Sequence, residues 1–129
     1  MKIFIILLLL TNVRHAGNPE ITNLITNSNI PQDCKMLYLA VTIKESGWHR
    51  NKKAVFRNNY SGFITKKGLK VFTSLSSYQL YVEKWFKRKH IRNHTHLYNL
   101  LKSGRYCRFR NKEEKYIYMN SIDKIQKQI

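Results

Sequence analysis

Acidic residues are scarce in this sequence. Its 129 residues include 7 Asp and Glu against 24 Lys and Arg, which gives a formal net charge of +17 at pH 7. A surface with that excess attracts polyanions, and the candidate partners are nucleic acid, an anionic membrane and an anionic cell wall. Abundant Lys, Asn and Ile together can also reflect AT-rich coding, so the charge by itself indicates neither a fold nor an activity.

Cysteine is scarce as well. Cys34 and Cys107 lie far apart in the sequence and no C-x-x-C pair occurs, which argues against a zinc site. In an exported protein the two thiols could form a disulfide bond, which would tie the C-terminal part of the chain to the helix that follows Cys34. Two separate buried thiols are an equally good interpretation.

Long hydrophobic runs are absent. The apolar run at residues 3–10 is too short to span a bilayer as a helix. Its position after a single Lys predicts a secretory signal peptide in residues 1–17, cleaved near Ala16 or Gly17, and hence a secreted, periplasmic or cell-wall location. An N-terminal anchor or a buried first strand is the alternative. Residues 18–129 contain no repeat and no long linker, so they predict one folded domain.

One carboxylate, Glu45, stands alone in the stretch 39–63. An apolar segment predicts a mostly buried helix from Cys34, and Gly47 ends it. Glu45 therefore lies in the last turn, where the negative end of the helix disfavours a charged carboxylate, and Trp48 would add desolvation. An ordinary surface glutamate is the alternative, although negative charge is unfavourable there. A carboxylic acid that stays protonated near neutral pH suits a glycosidase, which must protonate a leaving sugar oxygen.

Two short motifs carry a family resemblance. Residues 43–48 read IKESGW and residues 58–63 read NNYSGF. They resemble the signature stretches A-x-x-E-S-G-W and N-N-L/Y-F-G of the bacterial and phage glucosaminidase domains. These are peptidoglycan endo-β-N-acetylglucosaminidases, similar to mannosyl-glycoprotein endo-β-N-acetylglucosaminidases, in the lysozyme-like superfamily. The resemblance extends over residues 33–122. Ser61 stands where that family usually has Phe, a departure that could loosen a wall of the cleft.

The resemblance implies a fold and an activity. The fold would be α+β and mainly helical, lysozyme-like, with a small β-hairpin inserted after the catalytic helix. The activity would be that of a glycoside hydrolase, which cleaves the β-1,4 bond after N-acetylglucosamine with Glu45 as general acid. Peptidoglycan glycan strands and anionic cell-wall polymers would be the partners. No cofactor, metal or stable protein partner is expected.

The resemblance also implies roles for further residues. Tyr106 is similar to a family Tyr that assists near the sugar, although residues 107–111 depart from the family's usual Ala-Thr-Asp-Pro. Trp48, Asn59 and Tyr60 are the candidate substrate-binding residues. Each also has a structural interpretation: Trp48 in the core, Asn59 in a turn and Tyr60 packed under the hairpin.

A second catalytic carboxylate is not evident. A double-carboxylate mechanism needs another acid within about 5–9.5 Å of the first, yet no acid occurs between Ser46 and Val82. Glu83 follows on the next helix, where a solvated charge is the simpler interpretation. Assistance by the N-acetyl group of the substrate would remove the need for a second acid, and we favour it.

Local patterns predict helices separated by short polar segments, with one small hairpin. Asp33 would cap the Glu45 helix, and the polar residues 17–32 before it predict a loop. The other predicted elements are helices 51–57 and 95–102, helices begun by the capping boxes Ser76–Gln79 and Asn111–Glu114, and a hairpin of strands 63–65 and 69–72 around the turn 66–68.

The basic run at residues 84–94, KWFKRKHIRNH, favours a rival class of function. Cations interleaved with aromatic residues are typical of nucleic-acid binding, so a non-enzymatic basic nucleic-acid-binding module is the main alternative. An inactive wall-binding relic is another. His90, His94 and His96 invite a metal site, but the neighbouring Lys and Arg side chains would repel a cation.

Overall fold

The computed structural model describes residues 17–129, and the signal peptide or anchor predicted from the N-terminal apolar run lies outside them. Helices dominate this part of the chain. Its elements are α1 (Pro19–Asn27), a 3₁₀ turn (Gln32–Cys34), α2 (Lys35–Ser46), α3 (Lys52–Arg57), β1 (Ile64–Thr65), β2 (Gly68–Leu69), α4 (Leu75–Arg88), α5 (His94–Lys102) and α6 (Lys112–Gln128). A mainly helical α+β fold with a small hairpin after the Glu45 helix is therefore confirmed.

The central element is α2. Every residue from Leu37 to Ile43 is buried, so this helix is surrounded by protein rather than lying on the surface. It packs most extensively against α6 and also contacts α1 and α5. Gly47 ends it in the left-handed conformation, with φ of +55°, as the sequence predicts.

The prediction that Asp33 caps this helix is wrong. The 3₁₀ turn precedes α2, and the helix has no side-chain cap at its start. The Asp33 carboxylate instead accepts a hydrogen bond from the backbone N–H of His94 at 3.0 Å. This contact places its negative charge at the beginning of α5, where the helix dipole favours it.

The predicted loop at residues 17–32 is also wrong, because it contains α1. Asn18 caps this helix through its side chain, which accepts from the backbone N–H of Glu20, and Pro19 occupies the first turn. Ile21 and Ile25, four residues apart, are both buried. The cap, the proline and the buried apolar pair favour a helix here although the segment is mostly polar.

Two later helix starts differ in detail from the capping boxes predicted for them. The cap of α4 is Ser74, which accepts from the backbone three residues on, so the predicted Ser76–Gln79 box does not form. Asn111 caps α6 as predicted, by accepting from the backbone N–H of Glu114. The Glu114 carboxylate binds Arg110 instead of returning to the cap.

The hairpin is shorter than predicted. Thr65 pairs with Gly68 and Ile64 with Leu69, around a turn of two residues rather than three. Beyond these pairs, the backbone N–H of Lys70 still donates to the carbonyl of Phe63 across the hairpin, at 2.9 Å. The Asn59 side chain supplies the other hydrogen bonds at this end. None of the helices in residues 17–129 has the length and hydrophobicity that crossing a membrane would require.

Candidate active site

Glu45 lies in the last turn of α2, between two other parts of the chain. Its Oε1 accepts a hydrogen bond from the hydroxyl of Tyr118 on α6, at 3.0 Å. Its Oε2 faces Gly62, where a Cβ atom would lie 3.0 Å away. Gly62 has φ of +69°, so both its conformation and the space around it suit glycine. The two motifs of the sequence therefore meet at the Glu45 carboxyl group.

The environment of Glu45 favours its protonated form. Burial raises the pKa of this carboxyl above its ordinary value, while the Tyr118 hydrogen bond and the charge of Lys44 act in the opposite direction. The net shift is upward, as the sequence predicts, and burial is its main cause. No other carboxylate of the described chain contributes to the shift.

Asn59 fixes the loop that carries Gly62. Its Nδ2 donates to the carbonyl oxygens of Phe63 and Lys70, both at 2.9 Å. Its Oδ1 accepts from the backbone N–H of Phe63 at 3.1 Å. The buried amide thus adds to the one backbone hydrogen bond at the base of the hairpin, from Lys70 to Phe63. This agrees with the structural, turn-forming interpretation of Asn59. Its contact with substrate stays a prediction.

Ser61 is tightly held, which is a correction to the expectation of a loosened wall. The residue is 1% exposed, and its hydroxyl shares hydrogen bonds with the hydroxyls of Tyr38 at 2.5 Å and Tyr78 at 2.6 Å. Its carbonyl oxygen accepts from the hydroxyl of Tyr106. The Ser61 hydroxyl therefore joins Tyr38 and Tyr78, and a Phe at this position would leave those two hydroxyls without this partner.

Tyr106 borders the site without bonding to Glu45. Its ring lies 5.6 Å from the ring of Trp85 and 6.5 Å from that of Phe63. Burial, and the nearby charges of other groups including Glu45, raise the pKa of Tyr106 well above its usual range. The hydroxyl is therefore a neutral donor, and its partner in the structure is the backbone of Ser61.

The other two predicted substrate residues are engaged with the protein core. Trp48 has φ of +61° and its half-buried side chain packs against the core. Tyr60 is 4% exposed and meets the rings of His49 and Tyr78 edge-on, at 5.6 and 5.8 Å. These positions match the structural interpretation of each residue, and their contact with a sugar stays a prediction.

Tyr118 is the functional neighbour that sequence reasoning missed. The periodicity of the last helix places it on the inward face with Ile122 and Ile125, which predicts a core residue. A buried tyrosine hydroxyl needs a hydrogen-bond partner. Because Glu45 is the one carboxylate of the buried helix α2, this need for a partner could have predicted the contact between α6 and Glu45.

His49 was likewise missed. It is 2% exposed, and its Nδ1 accepts from the backbone N–H of Asn18 at 3.0 Å. The Thr42 hydroxyl donates to the carbonyl of Leu39, so Nε2 of the histidine carries the proton and donates to Thr42 at 2.9 Å. Burial lowers the pKa of His49 to about 4. The neutral imidazole links the start of α1 to the segment after Glu45.

A cavity of about 220 Å³ opens beside Gly62. Its walls are aromatic, and three cations, Arg88, Lys89 and Arg105, also line it. A larger cavity of about 500 Å³ contains no residue of either motif. The smaller cavity includes Gly62, which faces the Glu45 carboxyl, and it is therefore the candidate binding site.

The His, Cys, Asp and Glu side chains of the described residues do not form a metal site. Within residues 17–129, no group of three or more His, Cys, Asp and Glu side chains could hold a metal ion. Cys34 is buried, Cys107 is half-buried, and both are free thiols. Burial raises the pKa of each, that of Cys34 to about 11, so neither is an activated nucleophile.

No family model, curated protein or solved structure matches this chain. The likeness to glucosaminidases therefore depends on the two motifs, and the chemistry must be argued from the geometry of the site.

Proposed function

We propose that this protein is a lysozyme-like peptidoglycan hydrolase that cleaves the β-1,4 bond after N-acetylglucosamine, with Glu45 as general acid. The observation that carries the proposal is the position of Glu45. It is a partly buried carboxyl with a raised pKa, at the end of a buried helix and in contact with the glycine of the second motif. An acid that keeps its proton near neutral pH can protonate a glycosidic oxygen.

The two oxygens of Glu45 support a direction for proton transfer. Oε1 already accepts the hydrogen of Tyr118, which leaves Oε2 as the oxygen that carries the acidic proton. Oε2 lies against Gly62, and Gly62 lines the 220 Å³ cavity. A sugar in that cavity would receive the proton from Oε2 as its C1–O bond breaks.

The substrate would supply the second catalytic group. Three of the six other carboxylates of the described chain are engaged elsewhere: Asp33 accepts from His94, Glu83 from Asn29 and Glu114 from Arg110. The carbonyl oxygen of the N-acetyl group would attack the anomeric carbon as the leaving oxygen takes the proton. Water would then open the resulting ring, and its proton would return to the Glu45 carboxylate.

The decisive experiment is murein zymography with purified wild-type protein and Glu45→Gln. We expect the variant to keep its circular dichroism spectrum and to lose about 10²- to 10⁴-fold in lysis rate, because the proton donor is gone. Mass analysis of the fragments would identify the cleaved bond. A Glu45→Gln protein that clears murein at the wild-type rate would rule out this assignment.

Nucleic-acid binding is the second candidate function, and the exposed basic surface favours it. Lys84, Arg88 and Arg92 are exposed around the end of α4, and none forms an ion pair within the described chain. Tight binding to duplex DNA without cleavage of murein would favour that module. Binding to murein without cleavage would instead favour the inactive relic.

A further inference from the structure

One face of the hairpin is apolar and exposed. Ile64 and Leu69 are directly paired across the two strands, so their side chains lie on the same face, and the alternation along a strand places Val71 on that face as well. These three residues are 75%, 43% and 58% exposed. Phe72, on the opposite face, is buried and packs in the core. The hairpin therefore turns one side to the core and presents an apolar side to solvent.

The end of α3 adds an exposed aromatic residue next to the hairpin. The backbone N–H of Phe72 donates to the carbonyl of Arg57 at 2.8 Å, and the Asn58 side chain donates to the carbonyl of Phe72 at 3.1 Å. These bonds join the end of α3 to the segment that follows β2. Phe56, one residue before Arg57, is 79% exposed. We refer to Phe56, Ile64, Leu69 and Val71 as the apolar hairpin surface.

The charged residues of α3 and the hairpin are all positive. The sequence has no Asp or Glu between Ser46 and Val82, and no ion pair within residues 17–129 involves a cation of this stretch. The basic residues of these elements are Lys52, Lys53, Arg57, Lys66, Lys67 and Lys70. Long basic side chains can cover apolar surface with their methylene groups while their charged ends remain in a polar phase. The elements that carry the apolar hairpin surface are therefore strongly cationic.

This combination favours one kind of partner, a lipid bilayer with anionic headgroups. Exposed apolar patches mark contacts with proteins or membranes. Lysine is depleted at protein–protein interfaces, and a nucleic acid would bind the cations but leave the aliphatic side chains without a role. In an anionic bilayer both kinds of side chain are used, because apolar groups enter the boundary between headgroups and acyl chains while cations bind the lipid phosphates.

We propose that the apolar hairpin surface inserts into the headgroup region of an anionic lipid bilayer and holds the protein on the membrane surface. The insertion is shallow, because it involves a short hairpin and a helix of six residues. The cations attract the protein to the bilayer, and the burial of apolar area retains it there. This inference goes beyond the proposed function and does not depend on Glu45.

The test is sedimentation of the purified protein with lipid vesicles. It compares phosphatidylcholine vesicles with vesicles in which about a third of the lipid is anionic phosphatidylglycerol. Leu69→Ser with Val71→Ser removes apolar area from the hairpin. Met36→Ser with Ile117→Ser is the control, because these residues lie on α2 and α6 and are 46% and 54% exposed, close to the values of the hairpin pair. Phe56→Ser replaces the hairpin variant if the latter does not fold.

A second pair of variants tests the position of the charge. Lys66→Gln with Lys67→Gln removes two exposed cations from the hairpin turn, and Lys124→Gln with Lys127→Gln removes two exposed cations from α6. Both variants have the same net charge. A difference between their affinities for anionic vesicles therefore reports where the bilayer contacts the protein.

We expect wild-type protein to bind the anionic vesicles about tenfold or more tightly than the neutral ones. Each hairpin variant should lose about tenfold in affinity for anionic vesicles, and its control about twofold at most. Equal losses in the hairpin variants and their controls would show attraction by net charge alone and would overturn the inference, as would the absence of vesicle binding at low salt. A dimer in sedimentation velocity that Leu69→Ser with Val71→Ser dissociates, without vesicle binding, would assign the surface to a second copy instead.

Glu45→Gln separates this inference from the proposed function. This variant should bind anionic vesicles as wild type does, because the Glu45 carboxyl is not part of the apolar hairpin surface. Vesicle binding by wild-type protein that does not cleave murein overturns the proposed function and leaves the membrane surface in place. Cleavage of murein without vesicle binding overturns only the membrane surface.

Discussion

The two carboxylate oxygens of Glu45 have different neighbours, and this difference gives each a separate role in the proposed mechanism. Tyr118 donates to Oε1, and this bond favours the charged carboxylate. Oε2 faces Gly62, and the Tyr118 hydrogen bond is made to the other oxygen. Burial outweighs Tyr118 and Lys44 in setting the pKa of Glu45. In the proposed mechanism, the hydrogen bond at Oε1 therefore adjusts the pKa of the acid, and Oε2 delivers its proton.

Tyr118→Phe tests whether the hydrogen bond from Tyr118 lowers the pKa of Glu45. The lost hydrogen bond stabilises the ionised form of Glu45, so its removal should raise the pKa of that carboxyl further. The alkaline limb of kcat against pH should then move to higher pH. Tyr116→Phe, an exposed tyrosine on the same helix, is the control and should leave the profile unchanged. A limb that moves to lower pH in Tyr118→Phe would contradict the assigned role.

Gly62→Ala tests the contact at the other oxygen. Its new Cβ would lie 3.0 Å from Oε2, and φ of +69° adds the cost of the left-handed conformation. Gly47→Ala is matched in conformation, with φ of +55°, but has no atom within 4 Å of its Cβ. Both variants should lose about 1–2 kcal/mol in urea unfolding. Only Gly62→Ala should also lose about 10²-fold in murein lysis, through displacement of the acid.

At the scale of elements, the loop before the hairpin depends on a side chain rather than on β-pairing. The strands contribute two residue pairs, whereas Asn59 makes three hydrogen bonds to the backbone around them. Such a short hairpin would not be stable by itself. The loop and the glycine it carries are therefore positioned from α3 and its cap region.

Asn59→Ala should accordingly destabilise the fold more than the replacement of a surface cap residue does. It removes three hydrogen bonds and leaves the buried N–H of Phe63 and the part-buried carbonyl of Lys70 without this partner, for an expected loss of about 2–3 kcal/mol in urea unfolding. Asn51→Ala, which removes the exposed cap of α3, should cost about 1 kcal/mol. Equal losses in the two variants would show that Asn59 does not hold the hairpin.

The elements that the sequence predicted correctly are those defined by contacts near in sequence. The apolar run of α2, its stop at Gly47 and the Asn111 cap of α6 need no knowledge of the tertiary structure. Long-range partners could not be predicted in the same way. Asp33 is drawn to α5, 61 residues away, and Tyr118 reaches Glu45 across 73 residues. The two motifs could be recognised in the sequence, but the approach of Gly62 to Oε2 of Glu45 could not be predicted from it.

At the scale of the whole molecule, the positive charge is largely unneutralised. The one ion pair within residues 17–129 joins Arg110 to Glu114 at 2.6 Å, on the surface, where such pairs contribute ~0–1 kcal/mol. Asp33 and Glu83 accept from backbone N–H groups instead of from cations. The remaining Lys and Arg side chains are thus available to a polyanionic partner, which agrees with a cell-wall substrate.

The same shortage of acids leaves His49 without a charged partner. Its ring is held by Asn18, Thr42 and the edge of Tyr60, all neutral groups, and no nearby carboxylate offsets its burial. The imidazole is therefore neutral in the folded protein at pH 7. Protonation would place an unpaired charge in the core and convert Nδ1, the acceptor for Asn18, into a donor.

The stability of the protein should therefore fall as the pH falls from 6.5 to 4. The pKa of His49 is about 4 when folded against 6.5 when unfolded, so in this window the unfolded chain binds a proton that the folded chain does not. The effect amounts to at most about 3 kcal/mol at pH 4 and is absent above pH 7. The raised pKa of Glu45 acts in the opposite direction, so the measurement is the difference between wild type and His49→Gln in urea unfolding at pH 4–7. The difference in free energy of unfolding between wild type and His49→Gln should shrink on acidification. The difference between wild type and the exposed control His94→Gln should not change with pH. Parallel pH curves of unfolding free energy for wild type and His49→Gln would contradict a buried neutral histidine.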